Sequence, residues 1–286
     1  MKKRFFLFFT AYFLTLECFA AGPLTTFDND ASYAFGVIIA GQISDLEVTF
    51  DKRQFSEGFF AQMEDTGGKS RLSFEEAVAK VTGVLSGEGP HSFDAETSYA
   101  MGFAVAYQLV SGGIKVKYNK AQFLKGLEAE LAGASEIPIK DAEEKIEGIL
   151  EMATETQAKE NLAKSEKFLA DNAKKHNVKT TQSGLQYAVI KNSAGTKPDA
   201  ESLVTVNYEG RLIDGTVFDS SYERGEPAQF PLGDVIAGWT EGIQLMSLGS
   251  KFTFYIPPNL GYGDMAGIPI PPNSVLIFDV ELLAVE

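Results

Sequence analysis

In the C-terminal third of the chain, apolar residues recur at every second position, which is the spacing of a half-buried β-strand. Such segments begin at Val204 and Phe252, a further strand is expected through Val217 and Phe218, and a longer apolar run begins at Val275. The dipeptide Asp214-Gly215 separates the Val204 segment from the strand through Val217, and this pair is typical of a tight hairpin turn. The pattern therefore predicts antiparallel strands joined by short connections.

One short stretch of this region follows the helical period instead. Val235, Ile236 and Trp239 would share one side of a helix, and Asp234 is placed to cap it. After the third predicted strand comes a loop, PPNLGYGDMAGIPIPPNS, with too many prolines and glycines for regular structure. A sheet with one short helix and one long loop is thus expected.

The N-terminal half of the chain contains an internal repeat with a helical pattern. FDNDASYAFGVIIA begins at Phe27 and FDAETSYAMGFAVA begins at Phe93, an offset of 93 − 27 = 66 residues. FDKRQFSEG at Phe50 returns as YNKAQFLKG at Tyr118, and KVTGVL returns as KIEGIL at Lys145. Three blocks in the same order predict a duplicated unit of three helices.

Capping residues and small residues locate the helices of each copy. The first helix is expected to start near Ser32 or Ser98. The second is expected to be capped by Asp51 or Asn119. Small residues lie four apart along the first helices, at 32, 36 and 40 and again at 98, 102 and 106. Such stripes allow close approach, so we expect the two first helices to cross each other; alternatively, the glycines only weaken short helices.

The two copies differ after the third helix. In the first copy, SGEGP at residues 86–90 stops the helix, whereas the second copy continues past Leu150 without glycine or proline. One helix is therefore predicted from Ile139 to His176, about 57 Å long at about 1.5 Å per residue. Its apolar positions become sparse beyond Ala153, which predicts a solvated stalk that holds two domains apart.

Residues 1–20 have the organisation of a secretory signal peptide. Basic residues precede an apolar run from Phe5 to Leu16, and small residues stand at Cys18 and Ala20. This pattern predicts cleavage after Ala20 and a periplasmic protein. The apolar run is shorter than the roughly 20 residues that span a bilayer, which argues against a membrane anchor. Lipid attachment at Cys18, with an outer-membrane or cell-surface location, is the alternative.

The charge of the chain narrows its possible partners. The net charge is −14, and removal of residues 1–20, which carry +2, leaves −16 for the mature chain. A surface this acidic repels nucleic acids and anionic lipids. We therefore expect neither kind of partner.

The residue types available also limit the chemistry. Cys18 is the only cysteine, so the mature chain can have neither a disulfide nor a catalytic thiol. His91 and His176 lie outside the predicted sheet domain, which leaves Ser220 and Ser221 without a histidine base. No cluster of histidines and cysteines has the spacing of a metal site. The sequence thus favours non-covalent catalysis in an apolar pocket, without metal or cofactor.

Four motifs together carry a family resemblance. VNYEGRLIDGTVFDSSYERGEP, VIAGWTEG, LGYG and IPPNSVLIFDVELL resemble, in order and spacing, an FKBP-type peptidyl-prolyl isomerase domain over about residues 177–286. The resemblance implies a bent antiparallel β-sheet wrapped around one short helix, and hence an α+β chain with an all-helical N-terminal domain. It also implies isomerisation of the peptide bond before proline.

The same resemblance implies the residues of the site. Catalytic roles fall to Asp219, Tyr262 and Tyr208. The implied substrate-binding residues are Phe218, Arg224, Phe230, Val235, Ile236, Trp239, Ile270 and Phe278, with Trp239 as the floor of the pocket. The chain departs from the family at Ala228, where many members carry phenylalanine. Its loop from 264 to 270 is also one residue shorter than the commonest form.

The order of segments resembles the exported bacterial isomerases of the macrophage-infectivity-potentiator type. The expected segments are a signal peptide (1–20), two helical repeats (23–90 and 91–150), a connecting helix (139–176) and an isomerase domain (177–286). That type usually has one helical unit and forms an intertwined dimer, whereas this chain has two units. We therefore expect the copies to pair within one chain as a pseudo-dimer, giving a monomer, with a homodimer as the alternative.

The expected function is isomerisation that assists the folding of exported proteins. The partners would be unfolded or proline-containing polypeptide clients. A client-binding chaperone with incidental isomerase activity is the main alternative, and a surface adhesion factor is a third. No nucleic acid, membrane span, metal or cofactor is expected.

Overall fold

A computed structural model describes residues 24–44, 46, 48–64, 72–86, 91–265 and 269–286. The signal peptide expected at 1–20, with its Cys18, and the SGEGP residues 87–90 lie outside the described residues. The chain divides into two compact units between Thr154 and Glu155. The first is helical and the second contains an antiparallel sheet, so the expected α+β class is confirmed.

The described residues form six helices up to Asn172. They are α1 (Asn29–Ser44), α2 (Lys52–Met63), α3 (Phe74–Leu85), α4 (Ala95–Ser111), α5 (Lys120–Leu131) and α6 (Ile139–Asn172). The predicted caps are confirmed: the Asp51 carboxylate accepts the backbone N–H of Arg53. The Asn119 side chain accepts the backbone N–H of Ala121 in the same way. These bonds satisfy donors that the first turn leaves free, which fixes where α2 and α5 begin.

The two copies of the repeat exchange helices within the chain. α1 packs against α5, and α2 packs against α4, so the first helix of each copy crosses the second helix of the other. A Cβ atom added at Gly36 in α1 would lie 2.0 Å from the Phe123 carbonyl oxygen in α5. A Cβ atom added at Gly102 in α4 would lie 1.9 Å from the Phe55 carbonyl oxygen in α2. Both crossings therefore require glycine.

The predicted crossing between the two first helices is wrong. Their small residues do allow close approach, but the partner backbones also carry glycines at the crossings, Gly126 in α5 and Gly58 in α2. Two facing glycines bring the helix axes closer than one small-residue stripe could. The sequence pattern thus marks a surface that can approach closely without specifying its partner.

Two short pairs of parallel strands also join the first copy of the repeat to the second. The strands are β1 (Thr25–Thr26), β2 (Val48–Thr49), β3 (His91–Ser92) and β4 (Val116–Lys117). β1 pairs with β4, and β2 pairs with β3. The Ser32 hydroxyl accepts the backbone N–H of Asn119 at 3.0 Å. The Ser98 hydroxyl accepts that of Asp51 at 3.0 Å, so equivalent contacts join the copies in both directions.

Helix α6 ends at Asn172, four residues (176 − 172) before the predicted His176. The prediction that its latter half is a solvated stalk is wrong, because Ser165 and Asn172 are each only 1% exposed. The Asn172 side chain donates to the Gln186 side-chain oxygen of the second unit at 2.9 Å. Hydrophobic periodicity does not reveal this docking because polar side chains make it.

The second unit is built on an antiparallel sheet with seven strands in the described residues. They are β5 (Val178–Thr180), β6 (Gln186–Lys191), β7 (Leu203–Arg211), β8 (Val217–Ser220), β9 (Ala228–Pro231), β10 (Lys251–Ile256) and β11 (Leu276–Val285). The order is β5-β6-β10-β11-β7-β8, and β9 also pairs with β7. Val204, Val206 and Tyr208 are buried along β7, as the alternation predicts. Gly215 turns the predicted β7–β8 hairpin with a φ of +90°.

Two short helices accompany the sheet. They are α7 (Ser221–Arg224) and α8 (Ala237–Leu245). α8 begins three residues (237 − 234) after the predicted cap, because Ile236 keeps an extended backbone with φ −57° and ψ 146°. Asp234 instead ends a 3-10 turn at Leu232–Asp234, so that predicted cap is wrong. Trp239 in the first turn of α8 is buried in the core of this unit.

Candidate active site

An aromatic cluster surrounds Trp239 of α8. The Tyr208 ring meets the indole edge-to-face, with centroids 5.1 Å apart and planes at 87°. The Phe278 ring does the same at 5.0 Å and 86°. Phe230 lies 5.3 Å from the indole, and Phe218 meets Phe278 at 5.4 Å and 85°. Edge-to-face contacts suit the quadrupoles of aromatic rings, and we call these five side chains the aromatic cup.

Each ring of the aromatic cup comes from a different element. Tyr208 lies on β7, Phe218 on β8 and Phe230 on β9. Phe278 lies on β11 and Trp239 on α8. A Cβ atom at Gly210 would lie 2.6 Å from the Phe278 ring and 2.7 Å from the Phe218 ring, so this glycine lets the two rings meet. Sequence reasoning missed Gly210. A glycine inside a half-buried strand, two residues after a site tyrosine, is the signal that could have identified it.

The base of the aromatic cup is apolar and carries one available donor. Trp239 is 5% exposed, and its Nε1 atom has no hydrogen-bond partner among the described residues. An unsatisfied buried donor costs free energy that an acceptor on a ligand can recover. Among the described residues, Trp239 thus leaves a buried, unpaired N–H at the centre of the aromatic cup.

A polar trio of Tyr208, Asp219 and Arg224 lies beside the aromatic cup and shares Tyr208 with it. The Tyr208 hydroxyl donates to one carboxylate oxygen of Asp219, and Arg224 donates to the other. A second Arg224 nitrogen donates to the Tyr208 hydroxyl at 2.8 Å. Burial, and then the hydrogen bond to Asp219, raises the pKa of Tyr208, so it remains a neutral donor at pH 7. The Ser221 hydroxyl accepts the Tyr208 backbone N–H at 2.9 Å, a role that the sequence did not suggest.

The remaining predicted residues fall into two groups. Val235, Ile236 and Ile270 pack into the same hydrophobic core as the aromatic cup, and so does Ala228. Tyr262 differs, because it is 49% exposed in the loop after β10 and is not part of that core as described. Residues 266–268, within the loop from 264 to 270 that is expected to be one residue short, lie outside the described residues. Tyr208, Phe230 and Phe278 thus contact one indole, and Val235, Ile236 and Ile270 share its hydrophobic core, whereas Tyr262 lies on an exposed loop.

Within the described ranges, no group of three histidine, cysteine, aspartate or glutamate side chains is placed to hold a metal ion. Among the helices of those ranges, none is long and apolar enough to cross a membrane.

Two regions of the chain match known families. Residues 194–283 match the family described as FKBP-type peptidyl-prolyl cis-trans isomerase. Residues 94–189 match the family described as the domain amino terminal to FKBP-type peptidyl-prolyl isomerase. This second match covers the second copy of the helical repeat and α6, and the first copy lies outside it.

Individual relatives give the same result. The FKBP-type peptidyl-prolyl cis-trans isomerase FkpA of Aeromonas hydrophila is 43% identical over 207 residues, which cover 68% of this chain and 77% of the relative. The FKBP-type 22 kDa peptidyl-prolyl cis-trans isomerase of Escherichia coli is 41% identical over 203 residues, 68% of this chain and 96% of the relative. The crystal structure of FkpA from Escherichia coli has a TM-score of 0.56 at 38% identity and covers 68% of this chain and 96% of that one. These comparisons support the isomerase interpretation and do not favour the chaperone alternative.

Proposed function

The chain belongs to the FKBP-type peptidyl-prolyl cis-trans isomerase family, and we propose that it turns X-Pro bonds of polypeptide clients inside the aromatic cup. One observation carries this assignment: five aromatic side chains from four strands and one helix converge around Trp239. The polar trio lies at their edge. Such convergence of a few polar groups on an apolar concavity is typical of a ligand site.

An apolar cup suits this reaction because of the nature of its barrier. Rotation about the C–N bond removes amide resonance and costs roughly 18–20 kcal/mol. Water stabilises the planar, charge-separated amide more than the twisted one. Transfer of the bond from water to the surface formed by Phe218, Trp239 and Phe278 therefore favours the twisted state. A thousandfold acceleration requires only about 4 kcal/mol from all such effects.

The polar residues act on the carbonyl group that precedes proline and on another carbonyl group of the bound peptide. Because Tyr208 and Arg224 both donate to Asp219, the carboxylate is held in one orientation. In our proposal this fixed carboxylate faces the rotating carbonyl group. Tyr262, exposed on its loop, donates a hydrogen bond to a carbonyl oxygen of the bound peptide. No covalent intermediate, metal or cofactor takes part.

A pair of aromatic substitutions tests the position of the site in the full chain. Phe218→Ala removes a ring of the aromatic cup, and should lower turnover of a short X-Pro peptide by about tenfold or more. Tyr187→Ala is the matched control, because Tyr187 stacks on Phe252 at 5.7 Å and is not part of the cup. It should lower stability with little change in turnover. Equal losses in both variants, or none, would place the reaction elsewhere.

The helical repeat contains unequal side-chain pairs at its two equivalent contacts. Phe74 of α3 stacks on Tyr107 of α4, with centroids 4.4 Å apart and planes at 15°. At the equivalent contact, Ile139 of α6 fills the space beside Gly41 of α1, where a Cβ atom would lie 2.6 Å from Ile139 Cδ1. If two chains paired first copy with first copy and second copy with second copy, Phe74 would face Gly41 and Ile139 would face Tyr107. The first combination leaves a cavity and the second overfills the contact, so both are unfavourable.

We propose on this basis that the two copies pair within one chain, so that the mature protein is a monomer with a single isomerase arm. The exchanged helices α1 with α5 and α2 with α4 support this arrangement. Sedimentation of residues 21–286 at micromolar concentration should give the mass of one chain. A stable two-chain mass would favour the homodimer instead.

We also propose that the isomerase acts in the periplasm. The support is the basic start, the apolar run and the small residues at 18 and 20 in the sequence. Mass spectrometry of the protein from a periplasmic extract should find Ala21 at the N-terminus. A lipid-modified Cys18 would indicate attachment to the outer membrane or the cell surface.

A further inference from the structure

The latter half of helix α6 belongs to the second unit and packs against the rest of that unit through a buried serine. Ser165 is 1% exposed. Its hydroxyl donates to the Asn273 carbonyl oxygen at 2.7 Å and accepts the Val275 backbone N–H at 3.2 Å. One side chain on the helix therefore satisfies two backbone groups of the segment that leads into β11. Buried backbone groups need such partners, because an unpaired one costs free energy comparable to a lost hydrogen bond.

Two asparagines add further bonds between the helix and the same segment. Asn161 of α6 donates through Nδ2 to the Pro272 carbonyl oxygen at 3.0 Å. Asn273 donates in the opposite direction, from its Nδ2 to the Ala158 carbonyl oxygen of α6 at 3.2 Å. With φ +56°, Asn273 is the only non-glycine residue with a positive φ in the described ranges. The helix thus stabilises a left-handed turn that asparagine tolerates better than most residues.

This turn is connected to the parts of the β10–β11 loop that carry Tyr262 and Ile270. The Asn273 backbone N–H donates to the Gly263 carbonyl oxygen at 2.8 Å, and Gly263 directly follows Tyr262. On the other side, Ile270 precedes the turn and packs into the core of the cup. A continuous set of hydrogen bonds therefore runs from Ser165 through Asn273 to the loop that carries Tyr262.

We propose that Ser165, with Asn161 and Asn273, positions the rim of the isomerase site. In this inference, which rests on the proposed function of the aromatic cup, α6 is part of the catalytic framework and not only a connection. Held by the helix, the segments of the β10–β11 loop around Tyr262 and Ile270 are ordered before the peptide arrives. Ordering them only on binding would cost conformational entropy and would raise KM.

Substitution of Ser165 in the full chain tests the proposal against a matched control. Ser165→Ala removes both bonds to the rim segment and should raise KM for a short X-Pro peptide about tenfold, the size expected for one or two buried hydrogen bonds. The value of kcat should stay within about twofold, because the groups that act on the rotating bond are intact. Asn172→Ala is the control: it removes an equally buried bond, to Gln186, at the end of α6 away from the rim. It should lower the thermal midpoint without changing KM by more than about twofold.

Binding can be followed independently of turnover. Trp239 is the only tryptophan of the chain and lies in the aromatic cup, so titration of its fluorescence with the peptide measures affinity directly. Ser165→Ala should weaken this affinity by the same factor as KM. An unchanged affinity and KM, with only a lower thermal midpoint as in Asn172→Ala, would overturn the proposal.

A second variant keeps the test decisive if Ser165→Ala does not fold. Asn273→Gly keeps a backbone that adopts positive φ without strain and removes only the bond to Ala158. It should raise KM about threefold, and an unchanged KM would also overturn the proposal. The two inferences fail separately. Full turnover in Phe218→Ala would remove the aromatic cup as the site, whereas an unchanged KM in the rim variants would remove only the role of α6.

Discussion

The hydroxyl of Tyr208 donates a hydrogen bond to the carboxylate of Asp219, from one strand of a hairpin to the other. The same tyrosine ring packs edge-to-face on the indole of Trp239. One side chain therefore belongs to both the polar and the apolar parts of the site. A change in the polar trio should consequently alter the shape of the aromatic cup.

Asp219→Ala should lower kcat/KM for a short X-Pro peptide by about tenfold or more. The substitution removes the charged acceptor of both Tyr208 and Arg224 and frees the tyrosine ring to move. Isomerisation rates from NMR exchange would measure the effect. Asp219→Asn keeps the size and one acceptor oxygen, and should retain more activity than the alanine variant. Full activity in Asp219→Ala would contradict the proposed role.

Tyr262→Phe should lower turnover about threefold to fivefold, because it removes the hydroxyl proposed to bind a substrate carbonyl. Tyr262 is 49% exposed, so the thermal midpoint should not change. Tyr222→Phe is a suitable control, since Tyr222 is 48% exposed on the neighbouring α7. Equal turnover in the two variants would remove Tyr262 from the site.

Gly36→Ala should destabilise the helical unit by about 3 kcal/mol or more, because the new methyl group would collide with the backbone of α5. Gly83→Ala in α3 should instead stabilise it by roughly 0.5–1 kcal/mol, since alanine is the better helix former. No atom lies within 4 Å of a Cβ at Gly83 in the described structure. Urea denaturation followed by far-UV circular dichroism would compare the two. Similar stabilities would mean that α1 and α5 can separate freely.

Tyr118→Phe should stabilise the helical unit by about 1 kcal/mol at pH 8, because the buried Tyr118 hydroxyl has no partner among the described residues. Burial, and secondarily the Glu64 carboxylate, raises the pKa of Tyr118 above its usual value of about 10. The folded state then binds this proton more tightly than the unfolded state does. The free energy of unfolding is therefore unaffected by this group below about pH 10 and falls as the pH rises further, because the unfolded state releases the proton first.

The phenylalanine variant lacks this alkaline loss. The difference in stability between Tyr118→Phe and the parent chain should therefore grow from pH 8 to pH 11. Denaturation midpoints at several pH values would show it. Parallel pH profiles would mean that the Tyr118 hydroxyl reaches solvent.

Features set by neighbouring residues could be predicted from the sequence, whereas features set by distant partners could not. The Asp51 and Asn119 caps and the Gly215 hairpin were predicted because each depends on a few adjacent residues. The partner of α1 was predicted wrongly because the glycine that admits it, Gly126, lies on another helix. The docking of α6 was missed because Ser165 buries a polar group, which a hydrophobic pattern does not mark.

The site shows the same division. Family motifs identified the rings of the aromatic cup, but their edge-to-face packing depends on Gly210, which no motif marked as functional. The start of α8 was placed too early because Asp234 has the chemistry of a cap and Ile236 has an extended backbone. Local chemistry allowed a helix there, but the backbone forms a 3-10 turn at Leu232–Asp234 and the helix begins only at Ala237.

The crossed helices of the repeat have a consequence for how the protein responds to dilution. Two separate chains that interlock come apart as they are diluted, and their folding depends on meeting a partner. If the two copies pair within one chain, as we propose, α1 and α5 are tethered on one polypeptide and their local concentration is constant whatever the amount of protein. Each crossing could then also accumulate its own substitutions, because no residue would have to serve both sides at once.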